Sequence, residues 1–138
     1  MARRDQIVSV NPVLEEKFVL SYLVKSGTTL YMAGLLSADD TTFALVGADD
    51  MAAQIRQIYA RMQRILAKAG ATLEHVVSEI SFTTDLKRLS EASSVRADIY
   101  RAAGAAPPVA TAVQVAALYL PGAMLEIHAT AEVPHTSG

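Results

Sequence analysis

Two stretches of this chain carry apolar residues at consecutive positions, and they constrain the fold more than any other feature. They read KFVLSYLV, residues 17–24, and VATAVQVAAL, residues 109–118. Neighbouring residues of a β-strand point to opposite faces of the sheet, so strands of this composition are apolar on both faces. Any fold of this chain must therefore cover both faces of its sheet.

Helical periodicity occurs in two segments and predicts two helices, at about residues 51–69 and 85–104. Asp49 or Asp50 can cap the first helix, and Gly70 can terminate it. The predicted buried stripes are Met51, Ile55, Ile58, Met62 and Ile65 or Leu66 in the first helix, and Leu89, Ala92, Val95, Ile99 and Ala102 in the second. The side chains predicted to lie on the solvated face of the first helix are Arg56, Arg61 and Arg64.

The other apolar segments predict six strands, in the order βββ-α-β-α-ββ. They lie near residues 6–10, 17–27, 28–34, 75–85, 109–118 and 123–133. This order predicts an α/β (α+β) fold with a six-stranded mixed sheet and two helices on one face. Two helices cannot cover the second face, so we predict that it packs against other copies of the chain. The alternative is that loops cover it.

The composition predicts one globular domain over residues 1–138, with a core at about 16–133, a short N-terminal strand and a flexible C-terminal tail. The chain has no cysteine, which excludes disulfides and thiolate metal sites and favours a cytoplasmic location. We expect no membrane partner, because no apolar run approaches the roughly 18 residues that a membrane span needs. A net charge of −2 favours no nucleic-acid partner.

Few residues have the type and spacing of a catalytic or metal site. The histidines, His75, His128 and His135, lack the spacing of metal ligands, and we predict no metal site. In the last predicted strand, Glu126 and His128 point to the same face. If that face lies in an interface, the carboxylate is held in a partly dry cleft, where it can act as a general base or hold a water molecule. The alternative is a polar strand face that is wetted by solvent.

Several segments, taken in order, resemble the Rid family, the reactive intermediate deaminases also called the RidA/YjgF family. They are VKSGTTLYMAGL, LAKAGATLEHVV, TTDLKRLSEAS, the strand after Pro107 and Pro108, and LPGAMLEIHATA. The resemblance implies a chorismate-mutase-like fold and a homotrimer that binds small molecules in clefts between subunits. It also implies hydrolysis of enamines and imines, such as 2-aminoacrylate, without a metal or an organic cofactor.

The resemblance also implies a set of site residues. The family's water-holding glutamate corresponds to Glu126, a glycine that offers backbone contacts corresponds to Gly34, and an asparagine corresponds to Ser93. The family's tyrosine corresponds to Leu20, and Tyr22, two residues further on, is predicted to point to the same side.

The family's arginine that clamps the substrate carboxylate corresponds to Ala110, and no arginine or lysine occurs anywhere in residues 102–138. Such an arginine binds a carboxylate through two parallel hydrogen bonds, and an anionic substrate left without a counter-charge loses several kcal/mol of binding free energy. Arg96, Arg101 or a protonated His128 could supply the charge from elsewhere.

These residues favour a Rid-type hydrolase that acts on an enamine, an imine or a related C–N compound lacking the usual carboxylate. The predicted pocket is apolar and is lined by Leu20, Tyr22, Ala110 and Ala112, with His128 as a further ligand contact. The alternative is a non-catalytic ligand-binding or regulatory trimer. An endoribonuclease is a weaker hypothesis, because the chain is acidic and has no basic stripe.

Overall fold

The computed structural model describes residues 6–134, which form a mixed β-sheet with helices packed on one face. The strands are β1 (Gln6–Val8), β2 (Leu23–Ser26), β3 (Thr29–Met32), β4 (Leu35–Leu36), β5 (Val76–Thr83), β6 (Val109–Gln114) and β7 (Leu125–Glu132). The helices are α1 (Pro12–Phe18), α2 (Met51–Lys68), α3 (Leu86–Glu91) and α4 (Ser93–Ala102). The predicted α+β class is confirmed.

The sheet has the order β1-β2-β3-β7-β5-β6, and β4 pairs with β7 beside the end of β3. β5 and β6 run parallel and are joined through α3 and α4, whereas the other pairs are antiparallel. Within residues 6–134 the sheet has seven strands rather than the predicted six. The additional strand is β4, which lies outside the six predicted strands.

The structure of α2 confirms the predicted first helix and its buried stripe. Asp50 caps the amino end, and Gly70 adopts a left-handed φ of 70° just beyond the carboxyl end. The predicted solvation of Arg61 is wrong, because this side chain is only 3% exposed. It turns inward to hydrogen-bond with Asp40 and with a buried backbone carbonyl.

The predicted strand at residues 17–27 is wrong in its first half, because α1 extends to Phe18 and β2 begins only at Leu23. Asn11 caps α1, and Pro12 occupies its first turn, where a missing N–H group costs nothing. Leu20 and Tyr22 therefore lie in the connection between α1 and β2.

The predicted second helix is interrupted at Ala92, which ends α3 and precedes α4. Asp85 caps α3 by accepting a hydrogen bond from the backbone N–H of Arg88 at 3.0 Å. Of the predicted stripe, Leu89, Ala92, Val95 and Ile99 are half-buried against the core, whereas Ala102 is exposed. The most deeply buried side chain of α4 is Tyr100, which the predicted stripe did not include.

Among residues 6–134, no element covers the face of the sheet opposite the helices. Tyr31 and Val113 lie exposed on this face, and all six residues of the edge strand β6 are exposed. Exposed apolar edge strands are normally covered by another element or another chain. β1 lies in the segment predicted as a short N-terminal strand. Residues 135–138, where we predicted a flexible tail, lie outside the described residues.

Glu79 of β5 accepts hydrogen bonds from side chains of two helices and so links them to the sheet. Its carboxylate is 1% exposed and accepts hydrogen bonds from the Tyr59 hydroxyl of α2 at 2.7 Å and the Tyr100 hydroxyl of α4 at 2.9 Å. Arg96 of α4 donates from Nε and Nη2 to the other carboxylate oxygen. Burial and the charge of Glu79 raise the pKa of both tyrosines, so their hydroxyls stay protonated as donors.

We expect Glu79→Ala to lower the free energy of unfolding by roughly 3 kcal/mol, because Arg96 loses its counter-charge and both tyrosine hydroxyls lose their acceptor. Urea denaturation measures this loss. The matched control is Glu91→Ala, which removes an exposed ion pair with Lys87 and should cost less than about 1 kcal/mol. Equal losses in the two variants would contradict the role of Glu79.

Candidate functional site

The side chain of Glu126 points to the uncovered face of the sheet. β7 alternates, with Leu125 and Ile127 buried on the helix side and with Glu126 and His128 on the other side. Glu126 pairs with Phe82 of the neighbouring strand β5 and is half-buried, whereas His128 is exposed. The structure therefore places the two ionisable groups on one strand face, as the sequence pattern predicts.

Glu126 lies in a cavity of about 410 Å³, called here the Glu126 cavity. Gly34, Leu20 and Tyr22 line the same cavity, together with Arg61. The volume falls in the range of roughly 300–1,000 Å³ that small-molecule sites occupy. Four of the predicted site residues are thus brought together within one chain, although only Glu126 lies on a strand and the other three lie in connections between elements.

Gly34 leaves room for the carboxylate of Glu126. A Cβ atom at this position would lie closer than 3.0 Å to Glu126 Oε2, a separation that real Cβ contacts essentially never show. Any side chain at this position would force the Glu126 carboxylate to move from its present place. The present position of the Glu126 carboxylate therefore depends on the absence of a side chain at Gly34.

Burial raises the pKa of Glu126, and the nearby charge of His128 acts in the opposite direction. A carboxyl group with a raised pKa is better matched to proton transfer near neutral pH than an ordinary glutamate. The environment of Glu126 therefore suits a general acid–base role.

Arg61 brings a buried guanidinium group to the Glu126 cavity. Its Nε donates to Asp40 at 2.8 Å, and its Nη2 donates to the hydroxyl of Tyr22 at 3.2 Å. The sequence reasoning missed this residue, although a signal was present. Arg61 follows Ile58 by three residues and precedes Ile65 by four, so it lies beside the apolar stripe of α2.

A second cavity of about 270 Å³, called here the Ala110 cavity, lies between β6 and the helices. It is lined by the predicted site residues Ser93, Ala110 and Ala112, and also by Arg96. Burial by itself would lower the pKa of Arg96, but its bonds with Glu79 and the neighbouring tyrosine raise that pKa above the ordinary value. Arg96 therefore stays charged, and its charge is compensated by Glu79.

Ala110 and Glu126 point to opposite faces of the sheet. Ala110 pairs with Glu79, whose side chain meets the helices, whereas Glu126 pairs with Phe82 and, through it, is aligned with Val113. Paired residues share a face, so Glu126 and Ala110, both predicted site residues, do not line one cleft within a single chain.

The remaining candidates lie elsewhere. Arg101 forms an exposed ion pair with an aspartate of its own helix, and His75 Nδ1 accepts a hydrogen bond from the backbone N–H of Thr72 at 3.0 Å. His135 lies outside the described residues. Among residues 6–134, no group of three or more His, Cys, Asp or Glu side chains is arranged to hold a metal ion. No helix in that range is long and apolar enough to cross a membrane.

Comparisons with known proteins all find similarity to members of one family. A profile of the family described as endoribonuclease L-PSP matches residues 12–133. A RutC family protein of Sulfurisphaera tokodaii is 30% identical over 98 residues, which cover 71% of this chain and 75% of that protein. A Mycobacterium tuberculosis member of the YjgF/YER057c/UK114 family is 33% identical with a TM-score of 0.75, over 93% of this chain and 98% of its own. RidA of Psychrobacter is 28% identical with a TM-score of 0.74, over 96% and 100% of the two chains.

The raised pKa of Glu126 predicts that Glu126→Gln changes the pH dependence of stability. When the pKa of an acid is higher in the folded than in the unfolded state, the folded protein loses stability as the pH rises through that interval. Glutamine does not titrate, so the melting temperature of the variant should gain on that of the wild type as the pH rises above the ordinary glutamate value of 4.5. Thermal unfolding followed by circular dichroism measures this difference.

Glu132→Gln is the control with the opposite sign. Hydrogen bonds from Thr28 and Thr29 lower the pKa of Glu132, so the wild type should gain stability relative to this variant as the pH rises. A melting-temperature difference for Glu126→Gln that is constant with pH, or that follows the sign of the control, would contradict the assigned environment of Glu126.

Proposed function

Because the chain belongs to the endoribonuclease L-PSP family, which includes the Rid and YjgF proteins, we propose that it is a deaminase-type hydrolase of enamines, imines or related C–N compounds. The proposed substrate is apolar and lacks the usual carboxylate, and the reaction uses no metal or organic cofactor. One observation carries the proposal. A half-buried carboxylate with a raised pKa, that of Glu126, faces the backbone of Gly34 inside a cavity.

In the proposed reaction, the substrate reacts as a protonated imine. The ionised Glu126 takes a proton from water as the water oxygen bonds to the imine carbon, which gives a neutral carbinolamine. Glu126 then returns this proton to the nitrogen and accepts the hydroxyl proton as the C–N bond breaks. The products are a carbonyl compound and ammonia. Ammonia then takes the proton held by Glu126 and leaves as ammonium, which restores the ionised carboxylate. Backbone groups beside Gly34 can bind the carbinol oxygen while this happens.

We propose that neighbouring copies complete the cleft in a homotrimer. Ala110 and Glu126 point to opposite faces of the sheet, so one chain cannot combine their cavities. β6, which carries Ala110, is exposed along its whole length and forms an edge of the sheet. A neighbour that covers this edge would place its own Glu126 cavity next to Ser93 and Ala110.

The charges around the two cavities support a substrate without a carboxylate. Arg61 is paired with Asp40, which also binds Arg64, and Arg96 is paired with Glu79. Both guanidinium groups thus have a partner before any ligand arrives. Lys17 also reaches the Glu126 cavity, but its ammonium group offers a point charge rather than the two parallel donors of a free arginine.

A non-catalytic ligand-binding or regulatory trimer is the second candidate, and the compensation of Arg96 by Glu79 is the observation that favours it. The cavities would then bind a ligand without turnover. An endoribonuclease has less support, because a chain with a net charge of −2 offers little attraction to a phosphate backbone. A cytoplasmic location stays a prediction from the absence of cysteine.

Glu126→Gln should lower the rate of ammonia release from a carboxylate-free imine by roughly 100-fold or more, because the variant cannot accept a proton from water. A flavin amine oxidase acting on a simple primary amine generates such an imine in the assay, and the rate of spontaneous hydrolysis is subtracted. The matched control is Glu132→Gln, which alters an exposed carboxylate on the same strand face and should keep the wild-type rate. Ligand binding without any turnover in the wild type would favour the regulatory trimer.

The same assay with 2-aminoacrylate generated in situ tests the missing arginine. The wild type should release ammonia from it poorly, and Ala110→Arg should improve this rate, because it restores an uncompensated cation on the Ala110 side. Fast wild-type turnover of 2-aminoacrylate would contradict the proposed substrate class.

Light scattering should show a trimer in solution, because nothing in the described part of the chain covers one sheet face and the edge strand β6. Val113→Lys should weaken assembly by placing a charge on that edge. Ala67→Lys, on the exposed side of α2, is the control and should remain trimeric. A monomeric wild type would contradict the proposed cleft.

A further inference from the structure

Three aromatic side chains that are distant in sequence converge on one side of the Glu126 cavity. They are Phe18 at the end of α1, Phe43 from the loop before α2, and Tyr119 from the loop between β6 and β7. Phe18 and Phe43 have ring centroids 4.6 Å apart, and Tyr119 meets them edge-on at 5.7 and 6.4 Å. These three rings are called here the aromatic wall.

The backbone is strained in order to hold one ring of the wall. Phe43 has a φ of 62°, a left-handed conformation that bulky residues rarely adopt. A turn built on Asp39 enforces it: the Asp39 carbonyl accepts the N–H of Phe43 at 2.9 Å, and its carboxylate accepts two backbone N–H groups from Thr41 and Thr42. Strain maintained by such a turn at a cavity wall indicates a role for the ring that it positions.

Tyr119 is part of the aromatic wall but is not buried in the core. Its side chain is 73% exposed, while the loop that carries it is anchored by the buried Gln54, which bonds with the backbone of Gly122 and Met124. A large aromatic side chain held in an anchored loop and left exposed at a cavity has surface available for a ligand.

We propose that the Glu126 cavity binds a ligand with a neutral aromatic ring, which packs against Phe18, Phe43 and Tyr119. The three rings already contact one another in tilted and edge-on orientations. A ligand ring can add a further contact of the same kind, since aromatic pairs favour offset and edge-to-face contacts. A cationic ligand fits less well, because the ammonium group of Lys17 already lies 5.4 Å from the centre of the Phe18 ring.

This inference rests on the proposed function in one respect, which is that the reacting C–N bond lies beside Glu126. The aromatic wall and Glu126 line the same cavity, so a ring on the wall can carry its imine carbon toward the carboxylate. The substrate class becomes an aryl-substituted imine or enamine without a carboxylate, and the aromatic wall becomes its specificity determinant.

The test uses two stable ketones that stand for the product of such a reaction, phenylacetone and cyclohexylacetone. They have the same connectivity, and the saturated ring is the more hydrophobic, so simple burial favours cyclohexylacetone. Dissociation constants from titrations followed by protein NMR should show tighter binding of phenylacetone to the wild type, by roughly two- to tenfold. Tyr119→Leu should remove most of this preference, and Tyr119→Phe should keep it.

Tyr31→Leu is the matched control, because Tyr31 is also exposed but lies on β3, away from the cavity lining. It should leave the preference unchanged. Equal binding of the two ketones by the wild type, or a preference that survives in Tyr119→Leu, would overturn the inference. Hydrolysis is measured in a separate assay. A preference for the phenyl ketone without Glu126-dependent hydrolysis would support the aromatic ligand and reject the proposed enzyme activity. Glu126-dependent hydrolysis without that preference would support the enzyme activity and reject the aromatic ligand.

Discussion

The alternation of side chains along β7 decides where the functional groups of this protein lie. β7 is paired with β3, β4 and β5, and its residues from Leu125 to Ala131 take turns between the core and the uncovered face. A shift of the pairing by one residue would bury Glu126 and His128 and expose the apolar set. Burial of the apolar set therefore fixes the register, and the exposure of Glu126 to a cavity follows from it.

Charge compensation is the second feature that shapes the site. Each cavity has an arginine in its wall, and each arginine is already bound to an acid, Asp40 for Arg61 and Glu79 for Arg96. Removing either acid would leave a charge in a poorly solvated place, so the pairs are part of the fold. In the Glu126 cavity the ligand then meets two groups of opposite charge, the carboxylate of Glu126 and the ammonium group of Lys17, and three aromatic rings. Such surroundings favour a neutral, apolar compound.

The sequence predicted the long periodic elements well. The positions of three elements, α2, β5 and β7, follow the prediction closely. Each is long enough for its periodic apolar pattern to outweigh local capping and turn preferences. Short elements were predicted poorly. At α1, local capping by Asn11 and Pro12 prevailed over an apparent strand alternation that continued into β2. The helix break at Ala92 was not predicted, because no glycine or proline lies there. Arg61 was predicted to face solvent, because its partner Asp40 is distant in the chain.

By itself, the sequence determined the family resemblance, the mixed sheet with its main helices, and the face of β7 that carries Glu126, because periodicity is a local property of the chain. It also established that residues 102–138 contain no arginine or lysine. Tertiary structure alone decided which charges cancel, since Glu79 finds Arg96 and Asp40 finds Arg61 through contacts between separate elements. It likewise decided that Ala110 and Glu126 point to opposite faces and that Phe18, Phe43 and Tyr119 meet, because strand register and loop anchoring bring together residues whose spacing in the chain carries no signal.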